Sequence, residues 1–154
     1  MLIRHIPQVI SKVRYFMSSN KREELINSQH FPLILMRDFL LPTILGNETS
    51  DVLYWSGKQL ARQFPLLDET DIQESFEYCG FGNLDLVKKE RNRDIYHLHG
   101  SIIETRLLKQ DVSFHLEAGF LSEQLFLTTK ISCEVQVKIL KNKTNTIVNL
   151  IVNY

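Results

Sequence analysis

The 154-residue sequence lacks most of the features by which a chain indicates its function. It has two cysteines, Cys79 and Cys133, which are too few and too unpatterned for a disulfide framework or a zinc site. No apolar run approaches the roughly 20 residues that a membrane-spanning helix needs. Formal net charge is zero, but residues 1–22 hold five basic side chains and no acidic one, so the rest is acidic by five charges. An acidic body disfavours general nucleic-acid binding, and no cofactor is indicated.

The first 28 residues differ in composition from the rest of the chain. Residues 1–28 are predicted to be a polar and basic leader, either disordered or upstream of a true start at Met17. Arginine, proline and lysine interrupt this segment too often for the apolar core of a signal peptide. An alternative is that residues 1–16 form a basic amphipathic helix on a membrane surface. Residues 29–154 are predicted to form one domain in the reducing cytoplasm.

The first predicted helix of the domain has apolar residues at helical spacing and a proline in its course. Pro42 lacks a backbone N–H and clashes with the preceding turn, so we expect it to kink this helix. The apolar positions are Leu33, Met36, Leu40 and Ile44.

Two further helices are predicted before the chain becomes strand-like. Ser50 or Asp51 can cap the second helix. Its Gly57 costs about 1 kcal/mol of helix propensity relative to alanine, which predicts a close approach by another backbone. The third helix is expected to begin with a capping box at Thr70 and to end at a left-handed Gly80.

The apolar period then changes to two, which predicts strands. Runs of strands kept apart from runs of helices indicate an α+β fold. We expect an antiparallel sheet of four to five strands packed against a layer of helices, in the order ααα-βββ-α-ββ. The predicted strands are residues 84–89, 95–99, 102–108, 133–139 and 148–154, and the long helix between the third and fourth is residues 113–130.

The long helix has two apolar stripes rather than one. At about 100° per residue the two sets of apolar side chains lie nearly opposite each other. A helix that is apolar on two sides must be covered on two sides, so it lies between a sheet and other helices or forms one wall of an apolar cavity. One stripe is Phe114, Ala118, Leu121 and Leu125, and the other is Leu116, Phe120 and Leu127.

A histidine pair is the first candidate for chemistry. His97 and His99 lie two apart on a predicted strand, so both rings point to one face. A metal site would need a third ligand, for which Glu104 and His115 are the candidates. A polar sheet face is the simpler interpretation, and we expect no metal.

A second candidate for chemistry lies on the long helix, where His115 and Glu117 flank the apolar stripes. They could act as acid and base at the mouth of a cavity. The alternative is that Glu117 is a buried carboxylate paired with an arginine such as Arg37 or Arg62. Such a partner is needed because an isolated buried charge costs several kcal/mol.

Three segments, FPLILMRDFLLPTILG, DVLYWSGKQLARQFPL and SFHLEAGFLSEQL, resemble the YslB-like (DUF2507-type) uncharacterised family of Gram-positive bacteria, over residues 29–154. More distantly, the chain is similar to subunits of the transport protein particle (TRAPP) and to 4-vinyl reductase ligand domains. That similarity rests on the helix with Gly57, on Gly119 in the penultimate helix, and on the strand hairpin that follows.

This resemblance implies an α+β fold with dimerisation through the helical layer and, in some relatives, a buried apolar channel. Cys79 does not match the acylated cysteine of the transport relatives, and the metal-cluster cysteines of some reductase-type domains are missing. We therefore expect a non-enzymatic homodimer that binds a small hydrophobic ligand, a partner protein, or both. A ligand-converting enzyme that uses His115 and Glu117, and a purely structural adaptor, are the alternatives.

Two sets of residues follow as candidate sites. Tyr54 and Trp55 are adjacent on a helix and cannot both face one core, so at least one is expected at an interface or pocket. The expected ligand-lining residues are Phe114, Leu116, Gly119, Phe120 and Leu121, and the expected dimer contacts are Tyr54, Trp55 and Gly57.

Overall fold

The computed structural model describes residues 18–154. The predicted start at Met17 and the membrane-surface helix at residues 1–16 lie outside the described residues. The second part of the predicted leader contains a helix, Ser19–Asn27, whose Leu25 is buried against Ile34. Within this part of the chain no helix combines the length and the apolar character that crossing a bilayer requires.

Helices form the first half of the described chain, and a four-stranded sheet is built from its second half. The elements in chain order are α1 (Ser19–Asn27), α2 (Phe31–Ile34), a π-helical segment (Leu35–Leu40), α3 (Leu41–Leu45), a 3-10 turn (Gly46–Glu48), α4 (Thr49–Gln63), α5 (Asp71–Tyr78), β1 (Asn83–Lys89), β2 (Arg93–His99), α6 (Ser101–Arg106), α7 (His115–Thr129), β3 (Glu134–Lys141) and β4 (Thr146–Asn153).

The sheet is antiparallel throughout, with the strand order β1-β2-β4-β3. Alternate residues of its strands are buried on the face that packs on the helices, as Tyr96, Val135, Val148 and Leu150 are. The other face carries mostly polar side chains with a few isoleucines. The predicted α+β class and antiparallel sheet are confirmed.

The predicted order ααα-βββ-α-ββ is wrong at its third strand. Residues 102–108 do not extend the sheet, and Ser101–Arg106 forms helix α6 instead. Gly100, with φ +108°, turns the chain out of β2 before the helix begins. Ile102, Ile103 and Arg106 are buried, a spacing of one and four residues that fits a helical face and not an alternating strand.

Helix boundaries were predicted less well than helix positions. Helix α4 continues from the 3-10 turn and begins at Thr49, without a side-chain cap from Ser50 or Asp51. The Thr70 capping box is wrong, because Thr70 has helical dihedral angles and its N–H instead bonds the Asp68 carboxylate at 3.1 Å. The left-handed Gly80 is confirmed by its φ of +67°.

The kink expected at Pro42 takes the form of a π-helical turn. The N–H of Leu41 bonds the carbonyl of Met36, five residues back, and Pro42 follows without a donor of its own. The wider π turn carries the adjacent Arg37 and Asp38 into the interior together. π turns of this kind are frequent at functional sites.

The two-sided cover predicted for the long helix is confirmed. Helix α7 lies between the sheet and α4, and the ten residues from Leu116 to Leu125 are all buried. A β-carbon on Gly119 would lie 1.9 Å from the carbonyl oxygen of Tyr54, and one on Gly57 would lie 2.1 Å from the carbonyl oxygen of Leu116. The two backbones therefore touch at paired glycines, the close approach that Gly57 predicted.

Candidate functional site

The residues predicted to line a ligand channel lie in the main core. Phe114 and Leu121 are fully buried, and the ring of Phe120 packs edge-to-face on Phe76 and Phe81 at centroid distances of 5.9 and 5.3 Å. Such edge-to-face contacts are typical of a filled aromatic core. The ligand-lining role of these residues stays a prediction.

The three predicted dimer contacts have different surroundings. Gly57 is buried against α7, and the Tyr54 hydroxyl accepts a hydrogen bond from the Val135 N–H at 3.2 Å. Trp55 points outward and is 60% exposed. Two of the three therefore make contacts within the chain, and the dimer itself stays a prediction.

A cluster of four buried charged side chains joins the helices to one another. Arg106, only 1% exposed, is its centre. Its guanidinium donates to both carboxylate oxygens of Asp38 at 2.9 Å, to Glu117 Oε1 at 2.7 Å and to the Ser113 carbonyl at 2.7 Å. It also lies 4.5 Å from the centroid of the Phe114 ring. Helix α6, the π turn and α7 are thereby linked through one side chain.

Arg37 completes the cluster from the π turn. Its Nη2 donates to Glu117 Oε2 at 2.9 Å, and its Nη1 lies 2.8 Å from Glu117 Oε1 as a charge contact without hydrogen-bond geometry. The predicted pairing of Glu117 with Arg37 is confirmed. The other predicted partner, Arg62, instead donates to Glu123 at 2.7 Å.

Sequence reasoning missed Arg106 because residues 102–108 were assigned to a strand. The available signal was its position four residues after Ile102 and three after Ile103, which places all three on one helical side. With two arginines and two carboxylates the cluster is neutral, and its partners satisfy most of its polar atoms. This arrangement is suited to holding elements together rather than to proton transfer.

The charges of this cluster determine how Glu117 ionises. Burial alone would raise the pKa of its carboxyl, but the nearby charges of Arg37 and Arg106 and the hydrogen bond from Arg37 outweigh burial. The pKa of Glu117 therefore lies below its ordinary value of 4.5. The pKa of Arg106 is raised, because its two carboxylate partners outweigh the effect of its own burial.

We expect a Glu117→Gln variant to be less stable than the parent by an amount that depends on pH. A carboxyl whose pKa is lower in the folded state stabilises the fold above its unfolded pKa, and this contribution is lost as pH falls through the folded value. At neutral pH the variant should be about 3 kcal/mol less stable than the parent. Urea unfolding at a series of pH values should show the difference shrinking below about pH 4.5. A difference independent of pH would contradict the assignment.

A shallow groove lies between α4 and β3, with a volume of about 680 Å³. His115 lies at its edge, with Nδ1 3.0 Å from the Ser113 hydroxyl. Burial lowers the pKa of His115 against the opposing charges of Asp51 and Glu117, which favours its neutral form. The groove is lined by Asp51, Tyr54, Trp55, His115, Glu134, Val135, Gln136 and Val137.

The proposed acid and base are not brought together at this groove. His115 lines it, whereas both carboxylate oxygens of Glu117 contact arginines in the buried cluster. On the other side of Trp55 a second groove of about 520 Å³ runs along α4 and is largely apolar. Trp55 thus stands between two grooves, a position typical of aromatic residues that anchor a partner.

The histidine pair lies on the open face of the sheet, as its spacing predicted. The rings of His97 and His99 are 5.2 Å apart, and His99 Nε2 lies 2.7 Å from Asp85 Oδ2. Neither predicted third ligand, Glu104 or His115, is near them in a metal-binding arrangement. Among residues 18–154 no group of three or more histidine, cysteine, aspartate and glutamate side chains is placed to hold a metal ion.

A further surface runs along the outer side of α2, the π turn and α3. Seven residues of this 15-residue segment are exposed, and of these only Thr43 has a polar side chain. Met36 and Ile44 are 54% and 66% exposed. We call Leu33, Leu35, Met36, Leu40 and Ile44 the apolar stripe.

Comparisons with known proteins place this chain in a family. The family model described as "Protein of unknown function (DUF2507)" matches residues 30–153. Among curated proteins, the chain is similar to "Uncharacterized protein YslB" of Bacillus subtilis (strain 168). The two are 39% identical over 109 residues, which cover 70% of this chain and 72% of the relative.

Proposed function

This chain belongs to the DUF2507 family of proteins of unknown function, and we propose that it is a non-enzymatic homodimer that binds a partner or an apolar ligand. The dimer forms through the helical layer, and binding takes place at the surface beside Trp55. Its cysteines, with no disulfide between them, fit a reducing cytoplasm. The kinship with transport-particle subunits stays a prediction.

The observation that carries the dimer is the apolar stripe. Arg37 and Asp38 are the charged residues of the segment 31–45, and the π turn buries both of them. The exposed side of the segment is therefore free of charge over its whole length. Exposed apolar patches of this kind mark interaction sites on soluble proteins.

A second copy of this chain is the occupant that such a stripe fits best. A two-fold axis brings the same patch of both copies together, so charged patches repel each other and uncharged ones do not. Homodimer interfaces are also the more apolar class of interface. A stable interface needs about 800 Å² from each partner, so the stripe would form its centre with neighbouring polar residues as a rim.

The aromatic packing beside α7 supports surface binding rather than a deep channel. Phe76, Phe81 and Phe120 pack edge-to-face beside the glycine contact of α4 and α7. A ligand there would have to displace close-packed aromatic rings, whereas the two grooves beside Trp55 are open. Grooves of a few hundred cubic ångströms with an aromatic wall are the usual form of a binding site.

We expect the double variant Met36→Glu/Ile44→Glu to be monomeric where the parent chain is dimeric. Each substitution would place an unpaired carboxylate in the apolar interface, and together they should weaken association by about 100-fold or more. Sedimentation equilibrium across a range of protein concentrations measures the dimer dissociation constants of the parent and of the variant.

The matched control is Val87→Glu, which changes a similarly exposed valine on the edge strand β1, outside the apolar stripe. It should leave the dimer intact. The parent and the two variants should have the same free energy of unfolding once the contribution of dimerisation is subtracted. The reason is that the substituted side chains are exposed within one chain. A parent protein that sediments as a monomer at every concentration would refute the dimer.

A further inference from the structure

The edge of the sheet beside Trp55 has unused hydrogen-bonding groups. Strand β3 pairs with β4 on one side, and in the described residues no strand pairs with its other side. The N–H of Val135 points away from β4, because it bonds the hydroxyl of Tyr54. Alternate residues of an antiparallel strand point their backbone groups the same way. The backbone groups of Val137 and Ile139 therefore also point away from β4.

The edge is not protected along its whole length. Exposed edges in stable proteins are usually shielded by bulges, prolines, charged side chains or a covering segment, and β3 carries Lys138 and Lys141 near its end. The opposite edge of this sheet has such a device, a register shift between Leu86 and Lys88 in β1. In β3 the pairing with β4 is regular from Glu134 to Lys141, and the hydroxyl of Tyr54 occupies the free side at Val135.

The groove that accompanies this edge has a defined chemical character. Trp55 and Val137 supply an apolar floor, and Asp51 and Glu134 supply two carboxylates. Among residues 18–154 neither carboxylate takes part in an ion pair, and the histidine beside them is favoured in its neutral form. The groove therefore has two carboxylates on its lining and no positively charged side chain.

We propose that an extended, basic peptide segment of a partner protein adds to the edge of β3 as a fifth strand. Its backbone pairs with Val137 and Ile139, an apolar side chain packs on Trp55, and basic side chains of the peptide face Asp51 and Glu134. Strand addition of this kind takes its affinity from main-chain hydrogen bonds and its specificity from alternate side chains. This inference names the partner class of the surface binding proposed above, but it does not depend on the dimer.

A peptide fits the site better than a folded partner does. The groove has a volume of about 680 Å³, which is in the range of sites for small ligands and short segments. A second copy pairing edge to edge would bring its own α4 alongside the same strand. A single extended segment needs only the groove and the edge.

The sequence supplies a direct reporter for the test. The chain has one tryptophan, so the intrinsic tryptophan fluorescence comes from Trp55 alone. The probe is an acetylated ten-residue peptide of alternating valine and threonine that contains two lysines. We expect a saturable blue shift of the emission as the peptide covers Trp55. Replacing both lysines with glutamate should abolish binding, and methylating alternate backbone nitrogens of the peptide should abolish it too.

Protein variants test the two carboxylates and the strand pairing independently. Asp51→Asn/Glu134→Gln should weaken binding of the lysine peptide roughly tenfold, the effect of two exposed ion pairs. Val137→Pro removes a donor that β4 does not use, so the sheet should persist while peptide pairing is lost. Glu77→Gln, an exposed carboxylate on α5, is the control and should leave binding unchanged.

Each possible result decides for or against the proposal. No saturable change in Trp55 emission, or equal binding of the glutamate or the N-methylated peptide, would overturn it. An emission that shifts with protein concentration alone would also overturn it, because a second copy would then occupy the edge. If Val137→Pro does not fold, the N-methylated peptide still tests the strand pairing. The Met36→Glu/Ile44→Glu protein should bind the peptide normally, so failure of the dimer and failure of the peptide site are distinguishable.

Discussion

A Gly119→Ala substitution should destabilise this protein more than most single changes do. The added methyl group would lie 1.9 Å from the carbonyl oxygen of Tyr54 and 2.8 Å from its carbonyl carbon. Neither atom belongs to a flexible side chain, so α4 and α7 must separate along their contact. We expect a loss of at least 3 kcal/mol, the upper end of the overpacking range. For a chain of this size that corresponds to a fall in Tm of roughly 10 °C.

A second glycine substitution tests whether the steric clash causes the loss of stability. Gly57→Ala should be similarly harmful, because its methyl group would meet the Leu116 carbonyl. The double variant should lose less than the sum of the two, since either change alone already opens the same contact.

Two controls complete the comparison. Gly46→Ala would add a methyl group with no atom within 4 Å, so any loss, of about 1–3 kcal/mol, would come from the backbone angles of φ +60° and ψ −132°, which L-residues avoid. Gln59→Ala, exposed on α4, should change little. Urea unfolding followed by circular dichroism measures all of these, and a Gly119→Ala protein within 1 kcal/mol of the parent would contradict the glycine contact.

An Arg106→Met substitution should be similarly damaging, for an electrostatic reason. It leaves the carboxylates of Asp38 and Glu117 in the interior with only Arg37 to balance them, and it leaves the Ser113 carbonyl without its donor. Removing one partner of a buried ion pair typically costs 3–5 kcal/mol. We expect a loss in that range at neutral pH, measured as the free energy of unfolding in urea.

The pH dependence of this loss distinguishes charge from lost packing. Without Arg106 the buried carboxylates should have a raised pKa in the folded state, so the folded protein takes up protons more readily than the unfolded chain. Stability of the variant should then improve relative to the parent as pH falls. A lost packing contact alone would give the same loss at every pH.

An exposed arginine serves as the matched control. Arg93, on β2, pairs with Glu90 at the surface. Arg93→Met should cost less than about 1 kcal/mol, as exposed ion pairs do. An Arg106→Met protein as stable as this control would show that the buried cluster is not essential to the fold.

Periodicity predicted much of the architecture. The alternating strands, the helix with Gly57 and the doubly apolar helix α7 were each predicted close to their observed positions. A buried carboxylate paired with an arginine was one of the two interpretations of Glu117, because a buried charge needs a partner, and the contact with Arg37 confirms it. The family was also recognisable from its sequence segments, as the matches to the DUF2507 family and to YslB confirm.

The errors share a physical origin. Residues 102–108 are few and rich in β-branched side chains, so propensity favoured a strand. Their conformation depends on Gly100, which turns the chain away from the sheet, and on Arg106, which is held by carboxylates on two other elements. The two N-cap predictions, at Ser50 or Asp51 and at Thr70, failed because local hydrogen bonds compete and one sequence allows several of them.

The sequence by itself determined the class of fold, the two-sided burial of α7 and the rule that Glu117, once buried, needs an arginine partner. These follow from local periodicity and from the free energy of burying charge, which do not depend on which elements meet. Only the tertiary structure decided that Arg106 completes the charged cluster, that Gly57 faces Gly119, and that the apolar stripe stays exposed. Each of these depends on residues distant along the chain, and a one-dimensional pattern does not contain the geometry that brings them together.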